Sequence, residues 1–344
     1  MIKVYQLHHG DSPAWDNYAY LCPEASHCHL SGWRRVIQRS YGHQSLYLYA
    51  EENGETKGIL PLISMRGILR RRCLVSLPFL DDGGICATDE QSRRQLYEAA
   101  FWLFEGQQAD FLDLRHRYVN SLAMPLLGSK VMLILELADN PDVMWKHFNA
   151  KLRNQIRKAV KSGLTATWSD IAGLADFYKV FATNMRDLGS PVHSRQFFAA
   201  IFEEFPESAR LMLVRKGRQT IGGAVCLSFR DSLIVPWASS DREYFSLCPN
   251  NLLYWEMIRW GCEYGYRRFD FGRSSPQSGT YHFKKQWGTI EEPLHWQCLR
   301  RNQRGVAMLH ADDTKYRWLI QTWSHLPLSL TKAVGPWLRG QVSS

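Results

Sequence analysis

No stretch of this 344-residue chain approaches the roughly 18 consecutive apolar residues of a membrane span. The opening MIKVYQLHHGDSPAW has no apolar core of the kind that marks a secretory leader, which leaves the cytoplasm as the expected compartment. The eight Cys residues have no paired spacing, so a disulfide framework is not expected, and reduced, mostly buried thiols are. His27-Cys28-His29 with Cys22 offers metal-ligand residue types. The spacing fits no common zinc pattern, however, and adjacent side chains cannot all point inward, so no metal is expected. With 45% hydrophobic and 22% charged residues the chain is globular, and its length suits two domains.

Carboxylates are scarce in two places. Residues 142–163 hold six Lys/Arg against one Asp, and residues 300–344 hold seven against two. Each segment is +5 within a chain of +9, so the remaining body is nearly neutral and anionic partners are expected at both. In the first, Met144, Phe148, Leu152, Ile156 and Val160 mark one helix with a single apolar stripe, begun by Asp142 as N-cap. Lys146, Lys151, Arg153, Arg157, Lys158 and Lys161 lie on its other face. In the second, Trp318, Leu319, Trp323, Leu326, Leu328, Leu330, Val334 and Trp337 alternate with Lys315, Arg317, Lys332 and Arg339. Pro327 and Pro336 are expected to break this tail into short pieces that either strap onto the body or lie on a membrane surface.

What is present is said twice. Residues 45–64 read as strand, Asn53-Gly54 turn and strand; residues 209–229 are built the same way around Lys216-Gly217. A helical segment precedes each hairpin (31–41 and 171–188). A second helix follows each (95–105 and 251–264) and leads into a strand carrying an Asp, at Asp113 and at Asp270. Three matches in the same order predict tandem copies of one α/β unit. Val131–Leu137 reads as a buried strand between them, with the boundary at Asn140-Pro141. The stretch 248–288 concentrates the polar chemistry. Its elements are a Pro249-Asn250-Asn251 helix start, a helix apolar on most sides, the strand Arg268–Gly272, a Ser/Gly/Pro loop, and then Tyr281-His282-Phe283-Lys284-Lys285.

LRNQIRKAVKSGL (152–164), PNNLLYWEMIRW (249–260), FDFGRS (269–274) and GTYHFKKQWG (279–288) resemble, in this order, the Fem-type acyltransferases. The likeness is to the FemAB-related proteins associated with PEP-CTERM exopolysaccharide systems. LVSLPFLDDGGI (74–85) is similar to the same group, with Asp82 where an aromatic is expected. The resemblance covers about residues 25–296 and implies an α/β (α+β) fold of two tandem GNAT-like, acyl-CoA N-acyltransferase-like domains, mixed sheets flanked by helices. Residues 1–141 would be an acceptor-side scaffold, 142–299 the catalytic domain, and 300–344 a basic, aromatic tail. The implied activity moves an acyl or aminoacyl group to an amine or hydroxyl of a cell-envelope or exopolysaccharide precursor. The donor would be acyl-CoA or aminoacyl-tRNA, with the inner membrane met through the tail. Where acetyl-CoA-using relatives carry a glycine-rich pyrophosphate loop, SSDREYFSLCPNN (239–251) has no glycine.

Acyl transfer needs a neutral nucleophile, donors aimed at a developing oxyanion, and a route for protons. The resemblance singles out Lys284 as the catalytic lysine, an exposed loop residue by this reading, with Asp270 and Arg273 beside it and Tyr281 and His282 as proton carriers. Arg153, Arg157 and Lys158 are candidates for a phosphorylated carrier such as tRNA. Asn250, Asn251, Trp255, Gly83 and Gly84 are candidates for substrate contact. The competing expectation is a non-catalytic GNAT-fold binding or scaffold protein of envelope or exopolysaccharide assembly.

Overall fold

The structure, a computed structural model, describes residues 1–8, 12–67, 71–301 and 314–342, with the backbone alone over 314–318. Arg304 and the side chains of Lys315, Arg317 and Trp318 therefore lie outside the described residues. Two compact units divide the chain. The first is Met1–Lys130 with Pro293–Ala307 and Trp337–Ser344, and the second is Val131–Glu292 with Met308–Pro336.

The first unit runs β1 (Lys3–Gln6), α1 (Ser12–Leu21), α2 (Gly32–Tyr41), β2 (Gln44–Ser45), β3 (Leu48–Glu52), β4 (Glu55–Leu60), β5 (Leu62–Arg66), β6 (Arg72–Ser76), β7 (Cys86–Ala87), α3 (Glu90–Gly106) and β8 (Phe111–His116). Asn53 and Gly54 both take positive φ, 54° and 81°, the turn whose twist suits a two-residue hairpin between β3 and β4. One sheet is ordered β1-β3-β4-β7. Asp89 starts α3 by accepting from Ser92 N at 2.7 Å. That helix sets Leu96, Ala100 and Phe104 in a core with Leu60, Leu74 and Leu112.

The second unit runs β9 (Val131–Glu136), α4 (Pro141–His147), α5 (Ala150–Lys161), β10 (Leu164–Ser169), α6 (Leu174–Asp187), α7 (Arg195–Glu204), β11 (Ala209–Lys216), β12 (Gln219–Phe229), β13 (Ser232–Ser240), α8 (Pro249–Glu263), β14 (Arg268–Ser274), α9 (Gly279–Lys285) and β15 (Ile290–Pro293). Its seven-stranded sheet is ordered β10-β11-β12-β13-β14-β9-β15. Helix α8 is buried along most of its length, as its composition requires. Strand β16 (His295–Arg300) then returns to the first unit, whose second sheet is β16-β8-β6-β5-β2. Helices α10 (Thr314–Ser324) and α11 (Leu328–Gly340) end the chain.

Several local expectations are corrected. The division falls at Lys130/Val131, so the strand at 131–136 belongs to the second unit rather than ahead of a boundary at Asn140-Pro141. Residues 295–299, placed by sequence in the second domain, and Arg300, placed in the tail, complete the first. The basic helix is two helices. Asn140, not Asp142, caps α4, and extended Phe148 and Asn149 separate it from α5, with Asn149 accepting from Leu152 N at 2.9 Å. The break lets Phe148 turn inward onto Trp255 and Trp287, while Val160, expected in the stripe, is exposed. In the tail Pro336 lies inside α11 and does not end it. Thr331 is buried, Lys332 sits over the Tyr178 ring, and Gly335 abuts Val192, so this part of the tail packs on the second unit. Leu319, Leu330, Val334 and Trp337 stay exposed. No helix among the described residues is long and apolar enough to cross a membrane.

Candidate active site

Strand β14 is interrupted. It pairs with β9 from Arg268 to Asp270 and again from Arg273 to Ser274, with a register shift between. Gly272 takes φ 73°, a conformation that costs a side chain with a Cβ, and its N–H donates to Asp270 Oδ1 at 2.8 Å. The buried carboxylate thus holds the bulge from two residues upstream, a local side-chain bond competing with the ladder. Phe269 and Phe271 on either side are fully buried, with Phe271 stacked on Tyr254 at 5.0 Å, so the bulge rests on a rigid floor.

The bulge turns two carbonyls toward α9. Lys284 Nζ donates to Gly272 O at 3.0 Å and Arg273 O at 2.9 Å. Lys284 is therefore neither in a loop nor exposed. It is the next-to-last residue of a helix capped by Ser278, and only 9% of its surface reaches solvent. Its neighbours are likewise engaged. Tyr281 Oη donates to Glu291 at 2.6 Å, and that hydrogen bond raises the phenol pKa above its ordinary value. Lys285 lies 3.2 Å from Glu291 and donates to Thr289 O at 2.9 Å. Tyr281 is thus a poor neutral-pH base, whereas His282 is exposed on the same turn. Arg273 is half-buried and meets Lys284 through its backbone.

Strands β13 and β14 are parallel but pair only through Ser232–Ile234 and Arg268–Asp270. Beyond those residues their C-terminal ends carry no shared ladder, the position where open α/β sheets bind ligands. Sequence inspection missed two atoms here. Ser274 Oγ, near the end of β14, and Trp287 Nε1, just after α9, are buried without a hydrogen-bond partner. Orphaned buried polar atoms of this kind mark places where a ligand or water belongs. Only the FDFGRS and KKQWG motifs hinted at them.

The segment 239–251 does not fit a pyrophosphate cradle. Asp241 caps a short 3-10 turn over Arg242–Leu247 by accepting the Glu243 N–H, so the segment spends an amide on its own carboxylate and brings two acidic residues where a phosphate loop needs free N–H groups. Asn250 does not cap α8. It accepts from Ser240 Oγ at 2.6 Å, while Cys248, at φ 60°, occupies the cap position. Asn251 donates to Gln155 on α5 at 3.2 Å, and buried Trp255 packs on Trp145 at 4.9 Å, so both are framework.

On α5, Arg157 and Lys158 are exposed and Arg157 lies over the Trp145 ring, whereas Arg153 is half-buried with its Nε unpartnered. Gly83 and Gly84 are far from this chemistry in kind. A Cβ on Gly84 would meet the buried His116 ring at 2.4 Å, so the pair of glycines serves close packing inside the first unit. Among the described residues one trio has ligand atoms close enough for a metal, Cys22, Glu24 and Cys86, within 4.8 Å of one another. Both Glu24 oxygens are already held by Arg93 Nη2, at 2.8 and 2.9 Å. The trio therefore makes a poor metal site.

A family model described as an acetyltransferase (GNAT) domain matches residues 146–285, which take in α5 through Lys285. No curated protein matches the sequence. Among solved structures, FemX is similar with a TM-score of 0.68 at 16% identity, covering 88% of this chain and 98% of that one. A tandem GNAT protein from the clavulanic acid biosynthesis pathway gives 0.57 at 10%, covering 89% and 100%. A domain described as the C-terminal part of a lysylphosphatidylglycerol synthetase from Agrobacterium fabrum gives 0.56 at 12%, covering 84% and 92%. At such identities the likeness is one of fold. The tandem α/β units expected from the internal repeat, GNAT-like as the Fem resemblance implies, are the architecture found.

Proposed function

We propose that the second unit, which carries the GNAT acetyltransferase match, is an acyltransferase whose reacting centre lies where β13 and β14 part. The observation that carries this reading is the Lys284 ammonium, pinned by two carbonyls to the bulged end of β14, beyond the residues that strand shares with β13. A compact cation fixed in a buried setting stabilises a developing oxyanion without reorganising during the reaction. The amine or hydroxyl of the acceptor attacks the acyl carbonyl, the tetrahedral oxyanion is met by Lys284, and the acceptor's proton is taken by exposed His282; collapse then breaks the bond to the carrier, whose hydroxyl or thiol leaves with that proton. Asp270 acts on the backbone and not on substrate, since its carboxylate holds Gly272.

The donor we favour is an aminoacyl-tRNA or another large phosphorylated carrier rather than acyl-CoA. Carboxylates at 241 and 243 disfavour pyrophosphate, and the exposed cations of α5 offer an alternative phosphate contact. The acceptor would be a cell-envelope or exopolysaccharide precursor of a FemAB-related, PEP-CTERM-associated system, met from the cytoplasm with the exposed apolar residues of α10 and α11 at the inner membrane surface. A binding or scaffold role is the second reading, and one observation favours it. Lys284 Nζ donates to two backbone carbonyls, as a purely structural lysine would.

One comparison separates the readings. Charged tRNA and an acyl-CoA panel are offered to wild type and Lys284→Arg, while envelope polymers are compared by mass spectrometry with and without the protein. Loss of a modified polymer that Lys284→Arg fails to restore, with the variant folded, supports catalysis. Full restoration by the variant returns the protein to the scaffold class.

A further inference from the structure

The end of α1 and the edge strand β7 bring two thiols together in the first unit. Cys22 and Cys86 are both buried, at 4% and 2% exposure, and their sulfurs lie within 4.8 Å of each other and of the Glu24 carboxylate. Two groups polarise this pair. Arg93 clamps Glu24 through Nη2 and donates Nη1 to Ile85 O at 3.1 Å, which puts a guanidinium beside the thiols. His29 Nδ1 accepts from Ser26 N at 3.1 Å, so its proton resides on Nε2, which faces Gly84 O at 2.9 Å and Cys86 Sγ at 3.0 Å. A cavity of about 10 Å³, room for one water-sized molecule, is lined by Glu24, His29, Cys86, Arg93 and His116. A small oxidant of that size meets the Cys86 sulfur, which lies within 4.8 Å of the Cys22 sulfur.

We propose that Cys22 and Cys86 are a redox pair, oxidised by hydrogen peroxide or a comparable peroxide to an intramolecular disulfide. The Cys22 thiolate attacks one peroxide oxygen, the O–O bond breaks, and hydroxide leaves, giving a sulfenic acid. The Cys86 sulfur then attacks the Cys22 sulfur, its proton combining with the departing hydroxide as water. Overall two thiols and one hydrogen peroxide give one disulfide and two waters. The thiolate needed for the first step is at hand. The hydrogen bond from Cys86 brings the Cys22 pKa down to about 6 in spite of burial, aided by the Glu24 backbone N–H and the Tyr18 hydroxyl. Burial and the same neighbour raise the Cys86 thiol, the division of roles expected between an attacking and a resolving cysteine. The other use of such a cluster, holding zinc, is opposed by two facts already described: Glu24 is occupied by Arg93, and His29 presents a proton rather than a lone pair.

The test is peptide mapping of the full-length protein after peroxide treatment and alkylation. The expected product has lost two hydrogens, contains a Cys22–Cys86 linked peptide, and reverts with dithiothreitol. Cys86→Ser should stop at Cys22 sulfenic acid, trapped by a cyclic dione. Full alkylation of both residues after peroxide treatment and denaturation would overturn the proposal. So would a zinc adduct in native mass spectra that Cys22→Ser removes. If Cys86→Ser fails to fold, Cys86→Ala replaces it, and the wild-type linkage map decides alone.

Discussion

Strands β8 and β14 hold the same place in the two units, and they diverge two residues after a shared aspartate. Each follows a long helix, lies parallel to one neighbour (β6, β13) and antiparallel to another (β16, β9). Asp113 faces Val75 across its parallel pair just as Asp270 faces Ile234. In β8 the residue two positions on is Arg115, which closes on Asp113 Oδ2 at 3.1 and 3.2 Å, and the ladder with β16 runs unbroken. In β14 that residue is Gly272, the aspartate captures its N–H instead, and the ladder breaks. An internal ion pair makes a strand end inert. A glycine there makes a bulge, and the bulge turns carbonyls outward to position a lysine.

Acid should separate the two units most. Burial lowers the pKa of His27 and His116 to about 3, and those of His29 and His43 fall in the same direction, all in the first unit. Below the ordinary value near 6.5 the unfolded chain binds protons that these rings refuse, so stability falls as pH drops from about 6.5 toward 3. Two fully refused protons cost up to about 5 kcal/mol near pH 4.5. Hydrogen exchange at pH 7 and 4.5 should show protection lost first in 1–130; equal loss in both units would contradict this.

Asp113→Asn comes next. It strands the Arg115 charge in a buried site, for a loss of about 3–5 kcal/mol in the first unit. Residual acyl transfer per folded molecule should be unchanged, which a melt paired with active-fraction measurement resolves. Lys284→Met should cost roughly 2–4 kcal/mol, because two carbonyls lose a charged donor, and should abolish transfer. An intact melting temperature would show that the bulge does not depend on the lysine. Gly272→Ala should cost about 1–2 kcal/mol through its positive φ, whereas alanine at Leu114, extended in β8, should cost only side-chain packing. Smallest in stability is the triple change Arg153, Arg157 and Lys158 to Gln. It should leave the melt within about 0.5 kcal/mol yet flatten the salt dependence of any binding to the proposed carrier, tRNA. An unchanged slope removes α5 from the interface.

Local chemistry made much of this legible. Asn53-Gly54 and Lys216-Gly217 announced their hairpins, and the apolar run after Pro249 announced a buried helix. The tandem repeat followed from their order. What stayed hidden depended on distant partners. Lys284 looked exposed because nothing in GTYHFKKQWG shows that Gly272 and Arg273 will offer carbonyls to it. The α4–α5 break was missed because Phe148 leaves the helix for Trp255 and Trp287, far along the chain. Asn251 and Trp255 were legible as candidates for substrate contact, yet both are tied into the framework of α5 and α8.

Strand β16 gives the molecule a timetable. The first unit's sheet cannot be finished when its own residues leave the ribosome, since β8 ends at His116 and its outer partner starts at His295. At ordinary elongation rates that interval is on the order of ten seconds or more. Through it β8 is a bare edge carrying Phe111, Leu112 and Leu114, the kind of template that recruits stray strands. The part of the chain made first is therefore the part completed last. A nascent chain arrested before residue 295 should engage chaperones through 111–116, and release from them should coincide with emergence of the strand that covers it.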